Sequence, residues 1–164
     1  MTIYSDYIRN LYYAGRLDEA RKESLKLLET DPTFARGHYE LGPILEDEGK
    51  LEEAIAEFKQ GLKALPDNVF ALTALGHAQA LAGKKADAEK MIGRLQELSP
   101  HVYASPFQTA VIYAGLDDRK RALDLLEKSR EERFNLVPFI KVDPVLKNLR
   151  SEPRFVELSK SIDL

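Results

Sequence analysis

The sequence predicts an all-α fold, a solenoid of four helical hairpins closed by a C-terminal helical cap. Three observations carry it. Ala20, Ala54, Ala88 and Ala122 recur with a spacing of 34 residues. Gly15, Gly49 and Gly83 keep the same spacing, and so do Pro32, Pro66 and Pro100. Between these anchors the apolar residues step by three or four, which is the spacing of one helix face.

Composition sets the outer bounds. The chain has 164 residues, 44% hydrophobic and 31% charged, which suits one soluble domain rather than a disordered chain. Its 24 Lys and Arg against 27 Asp and Glu leave a net charge of −3, so no global field draws it to nucleic acid or anionic lipid. It has no cysteine, which removes disulfides, thiol nucleophiles and Cys-based zinc sites together. The start MTIYSDYIRNLYYAG lacks a basic segment followed by an apolar one, and no window approaches the roughly 18 apolar residues of a membrane span. These features point to a cytoplasmic protein with no membrane partner.

The elements follow in order. Residues 1–34 form the first unit, whose second half AGRLDEARKESLKLLETDP is echoed in the second unit, residues 35–68, by EGKLEEAIAEFKQGLKALP. In that second unit Leu51, Ala54, Ile55, Phe58, Leu62 and Leu65 make one stripe, while His38, Leu41, Gly42 and Leu45 make another just before it. Each unit therefore reads as two amphipathic helices. Gly15, Gly49 and Gly83 end the first helix, where positive φ is usually required, and the prolines close the second because they cannot continue it. The periodic alanine is steric: a methyl lets two helices approach, and a larger group pries them apart. Residues 69–102 form the third unit and 103–133 a degenerate fourth. Residues 134–164 do not repeat and read as the cap. There Asp143-Pro144 and Ser151-Glu152-Pro153 look like helix starts, and Leu136, Phe139, Ile140, Val145, Leu146, Leu149, Phe155 and Leu158 supply apolar cover.

These residues resemble the tetratricopeptide repeat family, whose units of 34 residues stack as hairpins into a right-handed superhelix. The second unit matches through Leu41-Gly42, Leu45, Gly49, Ala54, Phe58, Gly61 and Pro66, and the third through Leu75-Gly76, Gly83, Ala88, Ile92 and Pro100. Three departures stand out. Ile8 replaces the expected glycine and Ser24 the expected aromatic in the first unit, an exchange of size across one helix pair. Asp117 stands at the fourth turn glycine, tolerable because aspartate accepts the left-handed conformation better than most residues. Phe134 stands at the last proline, so the chain runs on into the cap. The stretch from SPFQTAVIYAGLDDRKRALDLLEKSREER through LVPFIKVDPVLKNLRSEPRF further resembles the C-terminal repeat region of bacterial multidomain regulators of winged-helix, kinase or cyclase type.

The family resemblance implies that first helices line a concave groove. The groove positions are then Arg9, Tyr12 and Tyr13; Arg36, Tyr39, Pro43, Glu46 and Asp47; and Phe70, Thr73, His77 and Phe107, with Leu81 and Val111 beside them. Aromatics offer contact area at low entropic cost, so Tyr12, Tyr13, Tyr39, Phe70 and Phe107 are the expected anchors. Tyr13 and Tyr39 are expected to be exposed, whereas Phe70 and Phe107 could equally pack between hairpins. Some members grip a carboxylate terminus with Lys, Asn and Arg. Here Ser5, Arg9, Glu40, Phe70 and Ala74 stand at those places, so only one arginine of that clamp remains.

Little else suggests chemistry. His38, His77 and His101 lie far apart, without the spacing of metal ligands on one helix. Paired acids such as Glu52 and Glu53 need a closed pocket to shift their pKa values, and an open groove rarely gives one. The run EKSREER, Glu127 to Arg133, interleaves signs as a solvated helix face does. No phosphate-cradling glycine loop and no spaced Ser or Thr with His appears. The expected function is a non-catalytic scaffold, without cofactor or metal, that binds a protein or peptide segment in the groove. The tyrosines beside Glu40, Glu46 and Asp47 point to a segment with apolar and basic residues, and self-association stays open. The alternative is the sensory or oligomerising part of a larger bacterial transcription regulator or signalling enzyme.

Overall fold

The computed structural model describes residues 2–99, 104–133, 137 and 140–162. Pro100, His101, Phe134, Leu136 and Phe139, used above, lie outside the described residues. Eight helices pair into four hairpins: α1 (Thr2–Tyr13) with α2 (Leu17–Thr30), α3 (Ala35–Asp47) with α4 (Leu51–Ala64), α5 (Val69–Leu81) with α6 (Lys85–Leu98), and α7 (Pro106–Gly115) with α8 (Arg119–Glu131). A 3₁₀ turn (Pro144–Leu149) and α9 (Pro153–Lys160) follow. No strand occurs among the described residues.

One turn is built four times. Gly15, Gly49 and Gly83 sit at φ +72°, +76° and +74°, and the amide of the next residue reaches back to the carbonyl of Leu11, Leu45 or Gln79. Asp117 takes the same left-handed place at φ 55°, with the Asp118 amide 2.9 Å from the Tyr113 carbonyl. The turn thus survives without glycine. At the end of α8, Arg133 also adopts φ 55° and its amide bonds the Arg130 carbonyl, so the helix stops there without the periodic proline.

The periodic alanines behave as their size demands. Ala20, Ala54, Ala88 and Ala122 are each 0% exposed, at the crossing within their hairpins. A methyl on Gly42 would run into the Phe58 ring, and one on Gly76 would come within 2.6 Å of Ile112 Cδ1. In the first hairpin Ile8 and Ser24 are both fully buried, which fits the exchange of size, and the Ser24 hydroxyl is satisfied by the Ala20 carbonyl at 2.8 Å.

Among the described residues the core is a relay of four clusters, three of them shared by neighbouring hairpins and the last by the fourth hairpin and the tail. The last joins Phe107, Val111 and Leu126 to Ile140, Leu146, Leu149, Phe155 and Leu158, so the tail buries the final hairpin's open face. Asp143 starts the 3₁₀ turn, accepting from the Val145 amide at 3.2 Å, with Pro144 first in the turn. The second expected start differs in detail. Glu152, not Ser151, is the capping residue of α9, and its carboxylate makes no cap bond but takes Arg119 at 2.7 Å.

α1 packs on α3, α3 on α5 and α5 on α7, whereas α2, α4, α6 and α8 meet one another at most grazingly. Helices on the inside of a curve lie closer together. The first helices therefore form the inner wall of the stack.

Candidate functional site

The inner wall is a ladder of polar pairs, each joining one hairpin to the next. Asp6 of α1 pairs with Arg36 of α3, and Arg9 pairs with Glu40 through both carboxylate oxygens. One turn further on, the Tyr12 hydroxyl donates to Asp47 Oδ2 at 2.9 Å. Between α3 and α5, His77 Nδ1 lies 2.5 Å from Glu46 Oε1. The spacing between partners in this ladder, close to one repeat, puts equivalent positions of successive first helices side by side.

Burial sets the electrostatics. Glu40 is buried, and that desolvation raises its pKa, while Arg9 and Arg36 pull it back down. The one arginine left from the carboxylate clamp is thus already committed to a carboxylate. The Tyr12 phenol is driven far above its ordinary range by burial first and then by the Asp47 charge beside it. Asp143, at the mouth of the 3₁₀ turn, is raised by burial, and the Val145 amide and His77 oppose the shift.

Most of the expected site residues fall into two groups. Arg9, Tyr12, Arg36, Glu46, Asp47 and His77 stand together in the ladder just described. Tyr13 and Phe70 are open to solvent, 57% and 61% exposed, and Leu81 is exposed as well. Tyr12 and Tyr13 tilt against each other with ring centres 5.5 Å apart. Pro43 lies half-buried inside α3, where its missing amide leaves the Tyr39 carbonyl without a helical partner.

Four expectations need correction. Tyr39 is half-buried rather than exposed, because its ring covers Gly61 of α4, where any side chain would collide with it. Thr73 is buried and donates its hydroxyl to the Val69 carbonyl at 2.8 Å, so the helix itself consumes it. Phe107 and Val111 lie in the core shared with the cap. For Phe107 the packing role is the one observed, and the fourth hairpin's inner face is covered instead of open.

The 3₁₀ turn supplies residues that sequence reasoning missed. Lys147 Nζ lies 3.7 Å from Asp47 Oδ1, and Asn148 Nδ2 donates to the Ala114 carbonyl at 2.8 Å. The cap therefore does more than close the end: it reaches back along the inner wall to α3. It borders a half-open cavity of about 80 Å³ between Tyr12, Glu46, Asp47 and His77 on one side and Pro144, Val145, Lys147 and Asn148 on the other. Nothing in the repeat spacing could announce this contact.

The remaining histidine, His38, sits between Glu57 at 2.6 Å and the Pro32 carbonyl at 3.0 Å, a structural brace behind the wall. Among the described residues no three His, Asp or Glu side chains gather as metal ligands, and no helix is long and apolar enough to cross a membrane.

Comparison with known proteins places this geometry. Residues 45–110 match the sequence model of the tetratricopeptide repeat. A stretch of 76 residues, 46% of the chain, is 37% identical to DnaJ homolog subfamily C member 7 of Homo sapiens and, equally, of Mus musculus. The match spans only 15% of the length of those relatives. Among solved structures, MamA superposes with a TM-score of 0.55 at 21% identity, over 93% of this chain and 90% of MamA. YrrB, described as a tetratricopeptide-repeat protein with an unusual peptide-binding site, superposes with a TM-score of 0.53 at 18% identity, over 98% of this chain and 84% of its own. Residues 45–110 thus match the tetratricopeptide-repeat model, and the all-helical solenoid around them shares its fold with MamA and YrrB.

Proposed function

We propose that the chain is a non-catalytic interaction scaffold that holds a protein or peptide segment against its inner wall. The observation that carries this reading is the exposure of Tyr13, Phe70 and Leu81 on first helices that are otherwise tied into paired charges. A helix stack has no need of solvent-facing aromatics, and rigid aromatic side chains are economical anchors for a ligand. Because the wall is preformed, little ordering entropy is lost when a segment docks. The YrrB likeness adds a precedent for peptide binding on this fold. The segment expected to bind carries apolar residues for the tyrosines and basic residues for the Glu46 and Asp47 end of the wall.

A photo-crosslinking side chain at position 13 tests this. Capture of one partner from native lysate, lost on Phe70→Ala and weakened at low salt by Asp47→Lys, is the expected result. Capture that ignores both substitutions removes the reading.

A specific observation also favours the second use, as a sensory or oligomerising part of a larger bacterial regulator. Ile3 is 86% exposed and Tyr7 is also exposed on α1, the first helix of the stack, where another element could pack. Sedimentation of the wild type against Ile3→Ser with Tyr7→Ser decides whether that face associates. Reading the gene upstream of Met1 decides whether an effector domain precedes it.

A further inference from the structure

The cavity beneath the 3₁₀ turn has walls from three helices and the cap, and its polar atoms are mostly acceptors. Glu46 and Asp47 bring two carboxylates, with one oxygen of each engaged, by His77 and by Tyr12. Asp47 Oδ1 faces the Lys147 ammonium at 3.7 Å, too long for a direct hydrogen bond. Asn148 lines the same cavity, and its Oδ1 is buried and accepts no hydrogen bond. A buried acceptor without a donor is costly and calls for one. Leu81 and Val145 give the cavity apolar sides along which a methylene stem could lie.

Lys147 is a poor permanent occupant. Its side chain is 68% exposed, and a pair that long and that open holds weakly. A guanidinium has five donors in one plane and can bond a carboxylate with two of them, leaving others for the Asn148 oxygen once a small turn of that side chain exposes it to the cavity. We propose that this cavity receives a basic side chain, arginine foremost, from the segment held on the inner wall, and that Lys147 is a tethered stand-in which that side chain displaces. This deepens the scaffold reading and rests on it. It also assigns the cap a part in recognition, since Asn148 and Val145 come from the cap and Glu46 and Asp47 from the repeats.

The test uses the full chain, labelled for amide NMR, and two probes: acetyl-Leu-Arg-Leu-amide and the same peptide with citrulline, the neutral isostere of arginine. The arginine peptide is expected to shift Asp47, His77 and Asn148, and to bind about tenfold more tightly than the citrulline peptide. Lys147→Ala should tighten binding of the arginine peptide several-fold by removing the competitor, and Asp47→Asn should abolish the preference for arginine. Both altered side chains are outside the core, and unchanged spectra elsewhere verify the fold. Equal affinity for the two peptides, or a dissociation constant indifferent to Lys147→Ala, overturns the inference. Shifts at Tyr13 and Phe70 with none at Asp47 or Asn148 sink the cavity site and leave the scaffold reading standing. Shifts confined to the cavity uphold the site and count against the wider groove.

Discussion

His77 and Glu46 face each other across α5 and α3 at 2.5 Å, with 6% and 7% of their side chains exposed. A carboxylate that far from water depends on its partner. His77→Ala leaves a buried Glu46 oxygen without its hydrogen-bond partner, and should lower the unfolding free energy by about 1–3 kcal/mol. Replacing both, Glu46→Met with His77→Leu, should recover most of that loss, because no unpaired buried polar group remains. Urea denaturation of the two singles and the double checks this; strictly additive losses would show that the pair is not coupled.

The glycines make opposite predictions from the same chemistry. Gly93 lies inside α6 with open space where a methyl would go, so Gly93→Ala should stabilise by about 0.5–1 kcal/mol through helix propensity alone. Gly42→Ala gains the same propensity but drives its methyl into the fully buried Phe58 ring, and overpacking of about 1–3 kcal/mol should win. Thermal melts of both variants, read for the sign of the shift, are sufficient.

The cap can be tested one side chain at a time. Leu146 and Leu149 are 0% exposed in the cluster shared with α7 and α8. Truncating either to alanine should cost about 2–5 kcal/mol. Deleting residues 134–164 should expose Phe107, Val111 and Leu126 and drive aggregation, which light scattering would register. A truncated chain that stays monomeric and melts unchanged would deny the tail its role.

Glu40 gives a pH dependence of defined sign. Burial raises its folded pKa above the unfolded value of about 4.3, so the folded chain holds the proton more tightly. Its favourable contribution is complete below the unfolded pKa and is lost as pH rises through the raised one. Relative to Glu40→Gln, the wild type should therefore lose stability on going from about pH 4 toward neutrality. Paired urea titrations across that window measure it, and a flat difference would mean that the carboxyl ionises alike in both states.

What the sequence disclosed follows from how locally each feature is determined. A helix crossing that tolerates only a methyl writes alanine at every repeat, and a left-handed turn writes glycine or, at Asp117, the next best residue. Those decisions need no knowledge of distant chain. The inner wall was legible in part for the same reason, since equivalent positions of adjacent repeats must meet. The direction of an individual side chain was not: Tyr39 turns toward Gly61 and Phe107 into the last core, where half a helical turn separates groove from interior. The small residue at Gly61 was the available clue to Tyr39. The Lys147 contact with Asp47 spans 100 positions and two structural registers, and no period links them.

That contact changes what kind of object the stack is. An open coil of hairpins can stretch or fray from either end like a spring, each winding answering only to its neighbours. Here the final loop touches the second winding again, through a pair too long and too open to hold it firmly, so the coil is lightly latched rather than locked.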